Sequence, residues 1–306
     1  MEEKIICRVL TGPTGSGKSR LAMKLAEEMH WDIICMDSMQ IYRRMDIGTA
    51  KPTSQEQEKV RHHLIDLCEP AESFSVSMYR DEAEATIQKL HEQSRGFLIV
   101  GGTGLYLQSL IYPMAMGGVP ADESLREKLK QRLAADHGRE ELHQMLHQLD
   151  PRTADRLPVN DTRRVIRAIE VSLMTGIPYS EQPDRKEKAG NFTWKIASTR
   201  PGRDLLYQKI NQRVDQMIRD GLKEEVERLL DEHVPENVQS MSGLGYKEMI
   251  PHIRGVCSLE ESAEAIKLGT RHYAKRQMTF LRREEEIRYF DPEKTDAYDQ
   301  LRRILL

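Results

Sequence analysis

The chain lacks the long apolar runs and paired cysteines that mark membrane and secreted proteins. No run approaches the roughly 18 apolar residues that a membrane span needs, and the acidic start at residues 1–3 is unlike a signal peptide. The four cysteines, Cys7, Cys35, Cys68 and Cys257, are isolated and form no C-x-x-C pair. Such spacing supports neither a zinc site nor a disulfide framework. We therefore expect a cytoplasmic protein with reduced thiols and no membrane association.

The composition shows no strong bias either. The chain has 306 residues, of which 39% are hydrophobic and 31% charged, as in an ordinary globular protein of one large domain or two. Its net charge of -3 does not by itself suggest a polyanionic partner. An average can hide a local basic stripe, so the distribution of charge matters more than the sum.

What the sequence does contain is a complete phosphate loop close to its start. Residues 12–19 read Gly-Pro-Thr-Gly-Ser-Gly-Lys-Ser and match the pattern G-x-x-x-x-G-K-[ST]. A short apolar run at residues 5–10 precedes the loop, and Leu21, Leu25 and Met29 follow it at helical spacing. The predicted diphosphate- or nucleotide-binding residues are Gly12, Pro13, Thr14, Gly15, Ser16, Gly17, Lys18 and Ser19.

The residues of this loop are suited to binding phosphate. Its glycines let consecutive backbone N–H groups point at phosphate oxygens, and the N-terminus of the following helix adds partial positive charge. Lys18 would reach the terminal phosphates, and the Ser19 hydroxyl would ligate Mg2+.

Apolar runs of strand length alternate with helical patterns along most of the chain. Besides residues 5–10, we predict strands at 32–36, 97–100, 194–198 and 287–290, and helices at 75–92 and 259–283. This alternation predicts an α/β fold, a P-loop NTPase-like parallel sheet with helices on both faces. Ligands of such sheets bind beyond the carboxyl ends of the strands.

Residues 115–195 interrupt the alternation. They are charged, and apolar residues at helical spacing, such as Leu125, Leu129 and Leu133, predict helices. The segments 116–120 and 184–190 bound them. We predict a mostly helical insertion domain at 115–195, inside a P-loop core formed by residues 1–114 and 196–306.

Two polar residues follow predicted strands beside the loop. Asp37, one strand away, is the first choice for a general base, although it could instead cap the next turn or hold Mg2+ through water. Asp66 is a weaker candidate for the magnesium shell. The strand at 97–100 lacks the terminal acid usual in an ATPase and runs into Gly-Gly-Thr-Gly, which predicts close approach of a ligand to the Thr103 hydroxyl.

Basic residues cluster in two segments. Residues 267–283 contain six lysines and arginines without an acid, and residues 161–167 repeat this on a smaller scale. Either cluster could be a solvated helix face, but the two together favour a polyanionic partner. Arg213 stands beside the apolar stripe of its helix, where it could stabilise a departing diphosphate or form a surface ion pair with an acid such as Asp220.

The ordered combination of these segments resembles one known family, the tRNA dimethylallyltransferases of bacterial type, also called isopentenyl-diphosphate:tRNA transferases. The segments that carry the resemblance are Gly12–Ser19, Asp37–Tyr42, Gly48–Pro52, His62–Asp66, Gly101–Tyr106, Asn160–Arg164, Gly243–Glu248 and Lys275–Arg283. They span nearly the whole chain, and their combination is far more specific than the phosphate loop alone.

The resemblance implies transfer of a dimethylallyl group from dimethylallyl diphosphate to N6 of adenosine 37 in the anticodon loop of tRNA. Asp37 would accept the N6 proton, Thr103 would help to hold the adenine, and Lys18, Ser19 with Mg2+ and Arg213 would stabilise the departing diphosphate. The base would have to leave the anticodon stack to reach such a pocket.

The same resemblance implies a tRNA surface. The residues expected to contact tRNA are Asp37, Ser38, Met39, Gln40, Thr103, Asp161, Thr162, Arg163, Arg164, Val165, Lys275, Arg276 and Arg282. The expected partners are the anticodon stem-loop and dimethylallyl diphosphate, the expected cofactor is Mg2+, and we expect a monomer.

Three alternatives remain at this point. A small-molecule kinase would use a similar loop, Mg2+ and acid to transfer phosphate from ATP, but such chains are usually shorter and lack a long insertion. An isopentenyltransferase for free adenine nucleotides would not need two basic segments. A nucleotide-gated binding protein would need a guanine-specifying motif such as N-K-x-D, which the sequence lacks.

Overall fold

The computed structural model describes residues 4–112, 122–182 and 191–306. The chain divides into two compact units, one formed by Met1–Ile111 with Gly190–Leu306 and the other by Tyr112–Ala189. The first unit is called the core unit below, and the second the helical unit.

The core unit is built on a six-stranded sheet in which every pairing is parallel. The strands are β1 (Ile5–Thr11), β2 (Asp32–Cys35), β3 (His62–His63), β4 (Phe97–Gly101), β5 (Phe192–Thr199) and β6 (Ile287–Phe290). Their order across the sheet is β3-β2-β4-β1-β5-β6. The predicted α/β parallel sheet is confirmed, and only the two-residue strand β3 has no counterpart among the predicted strands.

Thirteen helices accompany these strands in the described residues. They are α1 (Lys18–Met29), α2 (Ser54–Lys59), α3 (Val76–Glu92), α4 (Gly104–Ile111), α5 (Glu123–Leu133), α6 (Gly138–Leu149), α7 (Pro151–Arg156), α8 (Thr162–Thr175), α9 (Arg203–Arg219), α10 (Leu222–Asp231), α11 (Tyr246–Ile253), α12 (Leu259–Leu281) and α13 (Ala297–Leu305). Four of them, α5 to α8, belong to the helical unit.

Helices α1 and α13 cover part of the sheet with their apolar stripes. Leu21 and Leu25 of α1 and Leu301 and Leu305 of α13 form one buried cluster with sheet residues such as Leu10. Their spacing of four puts each pair on one helix face. This packing fixes the start of α1, and with it the loop that connects α1 to β1.

The chain returns from the helical unit to the core unit earlier than the predicted boundary at residue 195. Residues 192–195 already pair with β1, as in the register of Phe192 with Ile5 and Lys195 with Arg8. A strand that is hydrogen-bonded in the sheet belongs to the core, so the core resumes at residue 190 rather than at 196. The predicted bounding segments 116–120 and 184–190 lie outside the described residues.

The helical unit has a core of its own. Leu129 of α5, Leu142 and Leu146 of α6, and Val165 and Ile169 of α8 form its buried cluster. A fully buried carboxylate, that of Glu170, lies beneath it and is neutralised by Arg126 and Arg167 at 2.9 and 2.7 Å. Helices α5 to α8 thus show the predicted helical character, whereas residues 192–195 of the predicted insertion belong to strand β5.

Across residues 4–112, 122–182 and 191–306, no helix combines the length and the apolar character needed to span a membrane.

Candidate active site

Three neighbouring strands deliver the predicted site residues to one edge of the sheet. Strands β2, β4 and β1 are adjacent and parallel, so the residues that follow them meet beyond their carboxyl ends. These are Asp37 after β2, Thr103 after β4 and the phosphate loop after β1. Arg213 comes from helix α9.

The phosphate loop adopts a conformation that its glycines permit. Gly12, Gly15 and Gly17 have φ values of 142, 77 and 80°, in the range that side chains disfavour. At Gly12 a Cβ atom would also lie 2.0 Å from Thr199 Oγ1. The same Thr199 hydroxyl lies 2.7 Å from Ser16 Oγ. The end of β5 therefore supports the loop from beneath.

Lys18 begins helix α1 and folds back over the loop. Its ammonium donates a long hydrogen bond of 3.4 Å to the Pro13 carbonyl. Burial, together with repulsion from Arg213, lowers the pKa of Lys18 to about 8, and attraction to Asp37 only partly offsets this. A cation held in this way gains a partner when an anion binds. Ser19, also in the first turn of α1, is exposed.

Arg213 belongs to this charge cluster rather than to the surface. Burial lowers the pKa of its guanidinium, and Asp37 opposes that effect. The alternative partner, Asp220, instead accepts a hydrogen bond of 2.6 Å from Gln216. Within the described ranges, Arg213 forms no ion pair with Asp220.

Asp37 and Thr103 are connected through the backbone between them. Asp37 Oδ1 accepts from the Met39 N–H at 2.9 Å, and Thr103 Oγ1 accepts from the Ser38 N–H at 3.2 Å. Asp37 thus does cap the next turn, as one alternative anticipated. Its other oxygen, Oδ2, has no protein donor in the part of the chain that is described, so this oxygen is open to a proton or a ligand.

Helix α12 supplies a contact that the sequence did not reveal. The Gln277 side chain accepts from the Thr14 N–H at 2.9 Å and donates to the Gly102 carbonyl at 2.9 Å. Tyr273 lies one turn earlier; burial raises the pKa of its hydroxyl to about 12, and the nearby side chains of Thr103 and Gln277 oppose that effect. Gln277 stands in the segment at 275–283 that carries the family resemblance, but no local pattern indicated its role, because its partners are backbone groups far away in the sequence.

The segment after Asp37 is fastened by a second residue that sequence reasoning missed. Glu225 of α10, 1% exposed, accepts from the consecutive N–H groups of Asp46, Ile47 and Gly48 at 2.8 to 3.0 Å. It also accepts from the Tyr246 hydroxyl at 2.7 Å. A buried carboxylate with four donors is fully compensated, and its partners Gly48 and Tyr246 belong to two of the segments that carry the family resemblance.

Asp66 does not stand free for a metal. Its Oδ1 accepts from the Lys51 ammonium at 2.6 Å, and Asp46 binds the same ammonium at 2.6 Å. Lys51 itself is buried. Lys51 thus gives the Asp66 carboxylate a structural partner, and a place for Asp66 in a magnesium shell stays a prediction.

The residues present fit a magnesium ion that is held largely by its substrate. No group of three His, Cys, Asp or Glu residues able to bind a metal occurs in the described parts of the chain. Mg2+ commonly uses one or two protein oxygens together with water and phosphate oxygens. The exposed Ser19 hydroxyl is placed for such a role, and its assignment stays a prediction.

Helix α12 borders a basic groove on the core unit. The groove has a volume of about 640 Å³ and reaches Pro13 of the phosphate loop. Its cationic lining consists of Arg200, Arg203, Arg271, Lys275 and Arg282. No carboxylate occurs among the lining residues that the structure describes. The side chains of Lys275, Arg276 and Arg282 are exposed.

The other predicted basic residues lie at the start of α8 in the helical unit. Arg163 and Arg164 are exposed, and Arg164 forms an ion pair of 3.3 Å with Asp161. Val165 is different, because only 1% of it is exposed and it packs in the core of this unit. Its side chain is therefore not an RNA-facing group, contrary to the prediction.

Comparison with known proteins gives a consistent picture. The sequence profile of a family described as IPP transferase matches residues 40–284. A tRNA dimethylallyltransferase of Pelotomaculum thermopropionicum is 46% identical over 281 residues, which cover 92% of this chain and 89% of that protein.

Solved structures agree. The tRNA isopentenylpyrophosphate transferase of Bacillus halodurans superimposes with a TM-score of 0.70 at 38% identity, covering 99% of this chain and 94% of that one. A eukaryotic dimethylallyltransferase acting on tRNA gives a TM-score of 0.81 at 27% identity, covering 98% of this chain and 77% of that one.

Proposed function

This chain belongs to the IPP transferase family, and from that premise we propose that it is a tRNA dimethylallyltransferase. It transfers the dimethylallyl group of dimethylallyl diphosphate to N6 of adenosine 37 in the anticodon loop, and releases diphosphate. The observation that carries the proposal is the meeting of Lys18, Arg213 and Asp37 in one charge cluster at the edge of the sheet. The relatives that the chain resembles bear the same activity in their names.

The phosphate loop holds the leaving group in this reaction. The departing diphosphate gains negative charge as the bond between the allylic carbon and oxygen breaks. Lys18 and Arg213 are partly withdrawn from water, and cations in such surroundings stabilise developing charge more strongly than exposed ones. Burial lowers the pKa of both side chains, and attraction to Asp37 only partly offsets that effect.

Asp37 acts on the nucleophile. N6 of the adenine attacks the allylic carbon, the new N–C bond forms, and the proton leaving N6 passes to Asp37 Oδ2. The turn after β2 keeps the carboxylate oriented through Oδ1. Thr103, whose Oγ1 accepts from the Ser38 N–H in the same turn, would contribute its hydroxyl to hold the base. An exocyclic amine is a weak nucleophile, so positioning has to supply much of the acceleration.

Mg2+ would be held by the Ser19 hydroxyl and the diphosphate oxygens. Bound there, it supplies charge neutralisation of the leaving group.

The tRNA would be held by cations on both units. On the core unit these are Lys275, Arg276 and Arg282 of α12, and on the helical unit Arg163 and Arg164 of α8, beside Asp161 and Thr162. The residues Asp37, Ser38, Met39 and Gln40 are proposed to meet the target base. A single chain in the cytoplasm, where tRNA is found, would carry out the whole reaction.

The kinase alternative loses its support. A kinase would be expected among the relatives if phosphate were the transferred group, whereas the family and the solved structures concern prenyl transfer to tRNA. The end of β4 also argues against a kinase. It carries Gly101 and Gly102 in place of the acidic residue that is usual in an ATPase.

The test is a transfer assay with three substrates. Purified protein is incubated with labelled dimethylallyl diphosphate, Mg2+ and unmodified tRNA, and nuclease digestion followed by mass spectrometry locates the label. We expect one labelled adenosine per tRNA, with an equal amount of diphosphate released. A tRNA with guanosine at position 37 is the matched control. Transfer of label from ATP to a small metabolite, with none entering the RNA, would reject the proposal.

A further inference from the structure

We propose that Gln277 is a positioning residue that fixes the distance between the diphosphate cradle and the turn that carries Thr103. The inference rests on the proposed function, because it concerns the alignment of the two reacting groups. Gln277 touches neither substrate in this scheme. It acts through the backbone of the two loops that do.

The side chain of Gln277 spans the two loops with one amide group. Oε1 accepts from the Thr14 N–H in the phosphate loop at 2.9 Å, and Nε2 donates to the Gly102 carbonyl after β4 at 2.9 Å. Both are ideal hydrogen-bond lengths. A primary amide is the side-chain group that can accept at one end and donate at the other with so short a reach. Neither arm could be kept by an apolar residue of the same size.

The space around this amide is closed. Only 6% of Gln277 is exposed, and a Cβ atom at Gly102 would lie 2.3 Å from Gln277 Nε2. A further Cβ contact, of 3.0 Å, would arise with the carbonyl of Gly12. The glycine after β4 is thus required by the bridge, and the two loops cannot move apart without leaving a buried polar group unpaired.

The bridge continues toward the proposed general base. Gly102, the acceptor of Gln277, is followed directly by Thr103, and Thr103 Oγ1 accepts from the Ser38 N–H, next to Asp37. Gln277 therefore joins the residues after β1 and β4 directly, and Thr103 extends the link to the residues after β2. These are the loops that would hold diphosphate, adenine and the proton acceptor.

The neighbours of Gln277 on α12 face the other way. Lys275 and Arg276 are exposed, and the Arg276 guanidinium lies 5.8 Å from the Tyr273 ring centroid. The helix that is proposed to bind RNA with its outer face therefore holds the diphosphate loop with its inner face. A shift of α12 by RNA would act directly on the phosphate loop through Gln277.

Two substitutions probe the bridge in different ways. Gln277→Met keeps the size and removes both hydrogen bonds. Gln277→Glu keeps the shape, and its protonated form can still accept from Thr14 and donate to Gly102, whereas its ionised form cannot donate. The matched control is Ser262→Ala, which deletes another buried hydrogen bond of α12, from Ser262 Oγ to the Glu248 carbonyl at 2.9 Å, far from the site in sequence.

The first measurement is the binding of inorganic diphosphate with Mg2+ by calorimetry, which requires no turnover. We expect Gln277→Met to weaken this binding about 10-fold and to lower kcat about 10- to 100-fold, since a small misplacement of reacting groups is costly. The affinity for tRNA should stay within about twofold, because the cations of α12 are untouched. Ser262→Ala should leave all three quantities near wild type.

The second measurement is the pH profile of Gln277→Glu relative to wild type. Its relative activity should rise as the pH is lowered from about 8 to about 6, because protonation restores the donor to Gly102. A purely structural role would give a pH-independent ratio.

Three results would overturn the proposal. One is unchanged diphosphate binding in Gln277→Met with a large loss of tRNA affinity, which would make Gln277 an RNA contact. The second is equal behaviour of Gln277→Met and Ser262→Ala in every assay. The third is a flat pH ratio for Gln277→Glu. If wild type itself fails to modify tRNA but Gln277→Met still weakens diphosphate binding, the proposed function is wrong while the bridge is not.

Discussion

The chain holds two groups of cations in opposite surroundings. Lys18 and Arg213 lie at the end of the sheet, partly withdrawn from water, and burial lowers the pKa of both. Arg163 and Arg164 on α8, like Lys275 and Arg276 on α12, are exposed to solvent. The first group suits one compact anion that displaces water. The second suits an extended polyanion whose phosphates remain solvated.

This difference in exposure predicts that the partly buried cations serve catalysis and the exposed cations serve tRNA binding. A cation with few protein partners and little water has much to gain from a diphosphate, and it stabilises charge that develops there. An exposed cation gains less from each phosphate it meets, and salt screens that gain. Substitutions in the two groups should therefore change different kinetic constants: the rate of transfer for the partly buried group and the affinity for tRNA for the exposed one.

The largest effect is expected at Asp37, the proposed proton acceptor beside Lys18 and Arg213. Asp37→Ala should lower kcat about 10²- to 10⁴-fold, the range for loss of a general base. tRNA affinity should stay nearly unchanged, because Oδ1 serves the local turn. Single-turnover kinetics and filter binding measure the two quantities. A large loss of tRNA affinity would instead make Asp37 a ligand of the RNA. It would contradict the assignment of Asp37 to catalysis rather than to tRNA binding.

The next effect concerns the exposed cations of α12. The double substitution Lys275→Ala with Arg276→Ala should weaken tRNA binding roughly 10-fold at moderate salt. It should also reduce the slope of log affinity against log salt by about 1 for each RNA phosphate that is no longer neutralised. Binding of inorganic diphosphate should not change. An unaltered salt slope would remove this face of α12 from the RNA surface.

A smaller effect is expected in the helical unit. Arg163→Ala with Arg164→Ala should weaken tRNA binding roughly threefold, because both side chains are exposed and Arg164 already pairs with Asp161. Their removal should leave thermal stability unaltered.

Arg126→Ala is the contrasting control in the same unit. It leaves the fully buried Glu170 with one guanidinium partner fewer, which should destabilise the protein by about 1–3 kcal/mol. Thermal unfolding separates the two cases. Equal loss of stability in both variants would show that the exposed arginines are structural.

The smallest effect is a proton count at Lys18. With a pKa of about 8 in the free protein, Lys18 is mostly neutral at about pH 8.5, and binding of an anion favours the ammonium. Diphosphate binding at that pH should therefore take up roughly three-quarters of a proton at this site. Calorimetry in two buffers of different ionisation enthalpy measures the uptake, and Lys18→Ala supplies the background from diphosphate itself. Equal uptake in both proteins would place the titrating group elsewhere.

The sequence predicted most of the sheet because its strands are apolar runs with clear ends. Strand β3 was not predicted, because two polar histidines show no strand pattern. They pair with β2 only through the tertiary fold. The boundary at 195 differs for another reason. The predicted strand began at residue 194, so the two residues before it were left in the insertion, although residues 192–195 all lie in register with residues 5–8 of β1.

The residues of the candidate site also fall into those that the sequence predicted and those that it did not. Lys18, Asp37 and Thr103 could be found because each stands in a motif directly after a strand. Gln277 and Glu225 could not, because their hydrogen bonds go to backbone groups between 175 and 263 residues away. Local sequence carries information on the groups that meet substrate. The groups that hold the loops in place depend on distant partners.

The most direct test of this division between catalysis and tRNA binding is the single-turnover rate of transfer as tRNA is raised to saturation. For Lys275→Ala with Arg276→Ala we predict a rate that returns to the wild-type value once the RNA saturates the protein, since only binding was weakened. For Asp37→Ala we predict a rate that stays low at any RNA concentration. A double variant whose rate remains depressed at saturation would contradict the account, because the exposed cations would then take part in the chemistry.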